Sequence, residues 1–448
     1  MQIKNICCIG AGYVGGPTMA VIALKCPDIK VTVVDINSNK IKSWNGPLDQ
    51  LPVYEPGLAK VVEKSRGKNL FFSDDIPGSI DAAQMIFMAV NTPTKKEGEG
   101  AGMAADLSYV EACTREIGKS SNSDKIIVEK STLPVRTAEK IKQILTTENP
   151  EHNFEVLSNP EFLAEGTAIK DLFKSDRVLI GGDMTTSGQN AVQALVDIYS
   201  SWIPLDKILT TNVWSSELAK LASNALLAQR ISSINSLSAL CEKTGADIEE
   251  LSLAIGKDHR IGPHFLKTSV GFGGSCFQKD ILNLVYLCNY YDLNQVAEYW
   301  HQVVRINDFQ KNRFAQKIID SFNGNLKGIS VTILGWAFKA NTNDSRESAS
   351  IYVAEKLYKA GAHLEIYDPM VSNESIRDDI KNYWTNIDEF KMLESRINIL
   401  HKPKIIFGKG DVVAILTEWE EFITYNFSKA TVFDGRNILK NKSQNVRK

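Results

Sequence analysis

Residues 3–35 read IKNICCIGAGYVGGPTMAVIALKCPDIKVTVVD. The apolar run 3–9 stops at Gly10-Ala-Gly12-Tyr-Val-Gly15, an apolar stretch from Pro17 to Leu24 follows, and Lys30–Val34 closes on Asp35. The order is strand, G-x-G-x-x-G, helix, strand, acid, with the acid about 20 residues beyond the glycines. A glycine triplet alone means little; with these flanks it marks a dinucleotide site. Gly10 makes the tight turn, Gly12 lets a pyrophosphate approach the backbone, and Gly15 lets helix and strand pack closely. Tyr13 and Val14 belong to the same turn and join the candidate cofactor contacts, with the helix N-terminal amides holding phosphate. Asp35 accepts from ribose hydroxyls and repels a 2′-phosphate, so the expected cofactor is NAD rather than NADP.

Further strands continue the pattern. Met85–Val90 runs into Asn91-Thr-Pro-Thr94, and Lys125–Glu129 runs into Ser131-Thr132. Ligands in open α/β sheets sit outside the carboxyl ends of strands, so Thr92, Pro93, Ser131 and Thr132 are candidate cofactor-lining residues. The competing reading makes them ordinary strand-to-helix turns with Ser or Thr as N-caps. Lys95–Ala105, rich in Gly and charge, reads as a mobile loop. Phe154–Ser158 leads into Asn159-Pro160-Glu161-Phe-Leu-Ala-Glu165-Gly166. Pro160 suits the first turn of a helix, which would put Glu161 and Glu165 on one face, as complements to the helix dipole or as site residues.

From Asn212 to about Thr244 the pattern turns long and helical, with Lys220 and Asn224 one turn apart among Leu and Ala. Polar groups there need partners if buried. They face a site or stand at its solvated edge. Helices are expected at Glu249–Ala254, Ile281–Tyr291 and Asn294 to about Phe322, a bridge between domains and a dimer surface. Within this region lies Gly262–Asp280, GPHFLKTSVGFGGSCFQKD. Gly271, Gly273 and Gly274 let the backbone come close to a ligand just before Cys276. If a helix begins near Ser275, Cys276 and Asp280 share a face, and the helix dipole favours the thiolate. A lone cysteine is more often a small buried hydrophobe; the glycines, Lys267, Lys279 and Asp280 favour chemistry.

A second α/β unit is expected from Gly328: strand Ile329–Leu334, Gly335-Trp-Ala-Phe-Lys339, helix Ala349–Ala360, strand His363–Tyr367 and Asp368. It repeats the strand, Gly, helix, strand, acid order without the glycine triplet. Strands Val412–Leu416 and Thr431–Phe433 follow, and the polar, basic stretch 437–448 is expected to fray.

The chain has 448 residues, 43% apolar and 23% charged, and a net charge of −2. That suits two or three domains of a globular protein and leaves no bulk electrostatic case for nucleic acid or an anionic membrane. The seven cysteines are scattered without a C-x-x-C pair, and the six histidines lack metal-ligand spacing. A disulfide framework and a metal centre are therefore not expected. With no basic-then-apolar leader and no apolar run of spanning length, the expected setting is cytoplasmic.

Asn159–Gly166 (NPEFLAEG), Gly271–Asp280 (GFGGSCFQKD) and Leu334–Ser348 (LGWAFKANTNDSRES) together resemble the UDP-glucose/GDP-mannose dehydrogenase family, nearest its animal-type branch. The likeness runs from the glycine turn to Arg436. It implies an α/β fold of two Rossmann-like domains with parallel sheets joined by a long central helical region. The divisions are 1–210 for NAD, 211–325 for the central helices and catalytic Cys loop, and 326–448 for the UDP-sugar. The implied reaction is a four-electron oxidation of the C6 alcohol of UDP-glucose to the uronate, with two NAD reduced. Cys276 matches the nucleophile, and Lys220 and Asn224 match the oxyanion pair. Asp280 and Thr132 match the water-orienting groups, and Glu161 the residue for thioester hydrolysis.

For substrate the resemblance implies Glu161, Phe162, Leu163, Lys220, Asn224, Phe265, Lys267, Phe272, Gly273, Phe338, Lys339 and Arg436, with Arg260 supplied across a subunit interface. For cofactor it adds Lys40, Glu165 and Arg346. Lys40 stands where an arginine is usual, Trp336 where a Phe is common, and the proline some members carry after Ser348 is absent; NAD affinity and local packing are what these departures touch. The resemblance also implies a homo-oligomer, a dimer through the central helices or a hexamer as in animal enzymes. Dehydrogenases of UDP-N-acetyl-hexosamines or GDP-mannose share the chemistry, and pocket residues alone decide between them.

Overall fold

The computed structural model describes residues 2–384, 395–439 and 446–447. The chain forms two compact units, Met1–Ser223 and Asn224–Lys448. In the first, β1 (Asn5–Ile9), β2 (Lys30–Val34), β3 (Leu70–Ser73), β4 (Met85–Met88), β5 (Lys125–Glu129), β6 (Phe154–Ser158), β7 (Val178–Gly182) and β8 (Ile208–Asn212) make one sheet. Its order is β3-β2-β1-β4-β5-β6-β7-β8, so the winding reverses between β1 and β4.

Continuous apolar runs are what parallel strands covered on both faces require. Ile6, Cys8, Val31, Val33 and Phe87 enter one core; Cys7, Ile9, Ile86 and Met88 enter another on the opposite face. Two strands depart from the expected parallel sheet: β7 meets β6 antiparallel at Ser158 and Gly181, and β8 runs parallel to β7, so both oppose β1–β6. The connection carries only the six-residue helix Ala168–Phe173.

In the second unit, β9 (Ser330–Leu334), β10 (His363–Tyr367), β11 (Ile397–Ile399), β12 (Val412–Ile415), β13 (Thr431–Asp434) and β14 (Val446–Arg447) form a parallel sheet ordered β11-β10-β9-β12-β13-β14. That repeats the order of the first six strands of the other sheet, the doubly wound Rossmann arrangement. β14 lies in the tail expected to fray; residues 440–445 and 448 of that tail lie outside the described residues.

The middle of the chain is helical: Val213–Thr244, Ile248–Gly256, Phe277–Tyr290 and Asn294–Asp320. No described helix is long and apolar enough to cross a membrane.

One expectation fails locally. Pro160–Gly166 is not helical, and the next helix starts at Ala168. The Glu161 carboxylate accepts from the backbone N–H of Phe162 and Leu163, 2.9 and 3.1 Å away, so it satisfies donors a helix would otherwise have used. Glu161 and Glu165 therefore share no helix face. Lys95–Ala105 folds back on itself, with Thr94 bridged to Ala105 and Lys95 N–H donating to Ala104 C=O at 2.8 Å.

Candidate functional site

The glycine turn is built as the spacing requires. Gly10 has φ +113°, and a Cβ there would lie 2.3 Å from the Ala89 carbonyl oxygen at the end of β4. A Cβ on Gly15 would lie 2.0 Å from the Gly10 carbonyl oxygen. A Cβ on Gly12 would meet nothing within 4 Å, so the space over that residue is open to a ligand. Val14 precedes the helix Gly15–Lys25. The Tyr13 hydroxyl donates to Glu55, whose buried carboxylate also accepts from Gly166 and Ala168 N–H at 2.9 and 2.5 Å. Glu55 thereby ties the glycine turn to the residue that follows Glu165.

Asp35 ends β2 in a setting that keeps it anionic. Its Oδ1 accepts from Asn37 N–H at 2.9 Å, and its Oδ2 accepts from Ala11 N–H at 2.9 Å and the Lys40 ammonium at 3.0 Å. Burial acts to raise the carboxyl, but these donors outweigh it and hold the group below the usual carboxylate range. An open Gly12, closed Gly10 and Gly15, and an anion at the end of β2 fit a dinucleotide.

Thr92, Pro93, Ser131 and Thr132 are not N-caps, because the helices that follow start at Ser108 and Thr137. They bind the strand ends to one another. Thr92 Oγ1 donates to Thr132 C=O at 3.1 Å, Ser131 Oγ to Val90 C=O at 2.6 Å, and Pro93 C=O accepts from Asp106 N–H at 2.7 Å. The helix Thr137–Glu148 is capped from elsewhere: Glu217 accepts from Arg136 and Ala138 N–H, each at 2.8 Å. Neither oxygen of buried Glu129 meets a donor among the described residues. Burial, then the Glu217 charge, pushes Glu129 well above the usual carboxylate range.

Glu161 stands in a charged cluster. Its Oε2 lies 3.0 Å from the ammonium of Lys130, a residue 3% exposed. Lys130 also donates to Asn159 Oδ1 at 3.0 Å and to the Tyr199 hydroxyl at 3.2 Å. Two cations lie near Phe162, the Arg177 guanidinium 3.9 Å and the Lys220 ammonium 5.3 Å from its ring centre. Lys220 is buried on the helix Val213–Thr244.

In the second unit Cys276 is exposed and occupies the N-cap of the helix Phe277–Tyr290. Asp280, one turn on, donates its backbone N–H to the Cys276 carbonyl at 2.9 Å. Its side chain is buried and accepts from Asn224 Nδ2 at 2.6 Å. The other six cysteines are buried.

The glycine loop before Cys276 is clamped. Asn307 accepts from Phe272 N–H at 2.8 Å and donates to Phe272 C=O at 3.0 Å. A Cβ on Gly273 would lie 2.5 Å from the Glu347 carbonyl oxygen and 3.0 Å from Phe338 Cβ. Arg436 donates to the carbonyls of Phe338 and Leu416 at 2.8 and 2.7 Å, so it braces this wall. Lys339 lies 5.5 Å from the Phe338 ring centre. Phe265 is exposed at φ +60°, and Lys267 borders a cavity of about 360 Å³ with Thr268, Asn437 and the helix Ile248–Gly256. Arg260 and Arg346 are exposed and fork onto Asp258 and Asp344 respectively.

The acid ending β10 differs from Asp35. Asp368 accepts from the N–H groups of Trp336, Ala337, Met370 and Val371 and from Trp419 Nε1. With five donors on it, this acid braces its own turn instead of presenting a ribose acceptor.

Residues 4–203, 214–309 and 332–441 match the NAD binding, central and UDP binding domains of the UDP-glucose/GDP-mannose dehydrogenase family. This chain belongs to that family. It is 55% identical to UDP-glucose 6-dehydrogenase of Rattus norvegicus, over 98% of this chain and 90% of the relative. It is 54% identical to UDP-glucose 6-dehydrogenase 1 of Glycine max, over 97% and 93%. Among solved structures, a UDP-glucose dehydrogenase from Pyrobaculum islandicum superposes with TM-score 0.84 at 29% identity, covering 100% of this chain and 96% of that one.

The chain is thus an NAD-dependent dehydrogenase by family, and it carries the family's UDP binding domain. The residues that support the family motifs were not singled out in the sequence. Lys130 had a signal: a Glu-Lys pair ends the apolar run of β5 where a fully covered strand should stay apolar. Glu55, Glu217 and Asn307 had none, because each meets its partner from 35 to about 110 positions away.

Proposed function

We propose that this chain oxidises the C6 alcohol of UDP-glucose twice, to UDP-glucuronate, reducing two NAD per sugar through a thioester on Cys276. The observation that carries the reading is Cys276 itself: an exposed thiol at a helix N-cap, one turn from the buried Asp280 that accepts from Asn224. Curated relatives at 55% identity over nearly the whole chain support the substrate.

Gly10, Gly12, Tyr13, Val14, Gly15, Asp35, Lys40, Thr92, Pro93, Ser131, Thr132, Glu165 and Arg346 hold NAD in this reading, and NAD when bound supplies the hydride acceptor. The chain's own residues do the rest. Lys220 and Asn224 stabilise charge on the C6 oxygen, the first by its ammonium and the second as a fixed donor. Loss of a hydride from C6 and of the hydroxyl proton first gives the aldehyde; Cys276 Sγ then bonds to its C6 and the thiol proton passes to the carbonyl oxygen. Loss of a hydride and a proton from that thiohemiacetal leaves a thioester, which holds the intermediate and activates it toward water. Water then adds to C6, the C–S bond breaks, and the sulfur regains its proton. Glu161 acts as base for that water, with Thr132 and Asp280 orienting it. Phe162, Leu163, Phe265, Lys267, Phe272, Gly273, Phe338, Lys339 and Arg436 hold the sugar nucleotide. The domain roles are NAD for 1–210, the catalytic helices for 211–325 and UDP-sugar for 326–448, in a homo-oligomer where Arg260 serves a neighbouring subunit.

The test is stoichiometry. UDP-glucose with excess NAD should yield about two NADH per sugar consumed, and Cys276→Ser should lose nearly all turnover while keeping NAD affinity. One NADH per sugar, or an active serine variant, refutes the covalent four-electron route.

A further inference from the structure

We infer that Lys130 is the positioning residue of Glu161, a buried cation that fixes the carboxylate and keeps it anionic until it takes a proton from the hydrolytic water. The inference rests on the reading of Glu161 as the base for thioester hydrolysis. Lys130 follows β5 and is 3% exposed, and an ammonium has three hydrogens to place. Glu161 Oε2, Asn159 Oδ1 and the Tyr199 hydroxyl lie 3.0, 3.0 and 3.2 Å from it. The cation is saturated by protein groups, so it acts through Glu161 and not on a ligand.

The carboxylate is fixed from both sides. Its Oε1 accepts from Phe162 and Leu163 N–H, and its Oε2 faces Lys130. The charged groups that act on it are Lys130 from the end of β5 and Lys220 from the helix Val213–Thr244. Tyr199, from the helix Thr186–Tyr199, reaches it through Lys130, and Arg177 stacks on the adjacent Phe162. Burial acts to raise Glu161, and Lys130, the backbone donors and Lys220 together hold it below the usual carboxylate range.

Two cations beside one base have a chemical reason. Lys220 is the group proposed to neutralise charge on the C6 oxygen. If it were also the sole support of Glu161, the base would take up a proton whenever Lys220 turned to the substrate. Lys130 separates the two duties, because its partners are all protein atoms.

The experiment follows kcat against pH, from about pH 5.5 to 9, for the full-length enzyme and for Lys130→Met, Lys130→Gln and Lys130→Arg. Loss of the opposite charge should move the acid limb up by roughly one to three pH units in the methionine and glutamine variants. Their KM for NAD should stay unchanged, and NADH should form in a burst as hydrolysis becomes rate-limiting. Lys130→Arg, which keeps the charge, should retain most of the original limb. The glutamine variant still offers a donor to Glu161 and carries the same expectation, so a methionine variant that misfolds leaves the test standing. An unmoved acid limb, or a kcat lowered by one factor at every pH, overturns the inference. If the wild type oxidises another nucleotide sugar and not UDP-glucose, the substrate reading fails. The same pH series on that sugar still decides the role of Lys130.

Discussion

Asn224 Nδ2 donates to Oδ2 of Asp280 at 2.6 Å, and both side chains are buried. The Lys279 ammonium lies 3.6 Å from the other oxygen, so the amide is the close donor to this carboxylate. Asn224→Ala removes that donor and leaves the buried oxygen unpaired. The expected cost is about 1–3 kcal/mol in urea unfolding, with a fall in kcat larger than any change in the KM for NAD. Asn224→Asp puts a second carboxylate at the same place, where one of the pair must stay protonated. That variant should therefore lose stability as pH rises, whereas the alanine variant should not. Parallel denaturation curves for the two at acid and alkaline pH would contradict the assignment.

The glycine turn separates folding from binding. Gly12→Ala adds a methyl group into open space, so the melting temperature should hold while the Kd for NAD rises about tenfold or more. Gly15→Ala drives a methyl group to 2.0 Å from the Gly10 carbonyl oxygen, so it should destabilise the fold by about 1–3 kcal/mol. Calorimetry and NAD titration of the two proteins should give opposite profiles.

Glu129 and Glu217 make stability depend on pH. Burial, with their mutual repulsion, raises Glu129 well above its unfolded value, and burial raises Glu217. The folded chain therefore keeps a proton that the unfolded chain releases, and stability falls as pH rises above the ordinary carboxylate range. The slope reaches at most about 1.4 kcal/mol per pH unit for one proton. Glu129→Gln supplies a permanent N–H to Glu217 and should flatten the slope, most visibly in unfolding midpoints above neutral pH. An unchanged slope would place the proton elsewhere.

Much of this was legible along the chain because the controlling interactions are local. The residues from Gly10 to Asp35 form a strand, a tight turn, a helix and a strand whose contacts fall within about 25 positions, and their spacing announces them. The order of β9, β10 and Asp368 was legible for the same reason. What that acid does was not: Trp419, 51 positions on, donates to it, and no spacing rule encodes a contact of that separation. The segment after β6 was misread as helical because Pro160 and two acids at i and i+4 favour a first turn. There the Glu161 carboxylate takes Phe162 and Leu163 N–H, and Lys130 holds its other oxygen.

By itself the sequence determined two doubly wound units, a dinucleotide turn that accepts an anion-flanked ribose, and a cysteine set among glycines at a helix start. Glycine φ angles, strand periodicity and helix entry are properties of a few adjacent residues. Tertiary structure alone decided which ionisable groups meet: Lys130 with Glu161, Glu217 with Glu129, Glu55 with Tyr13. Each of those pairs is formed by distant segments of the chain, and burying a charge is tolerated only where a partner meets it.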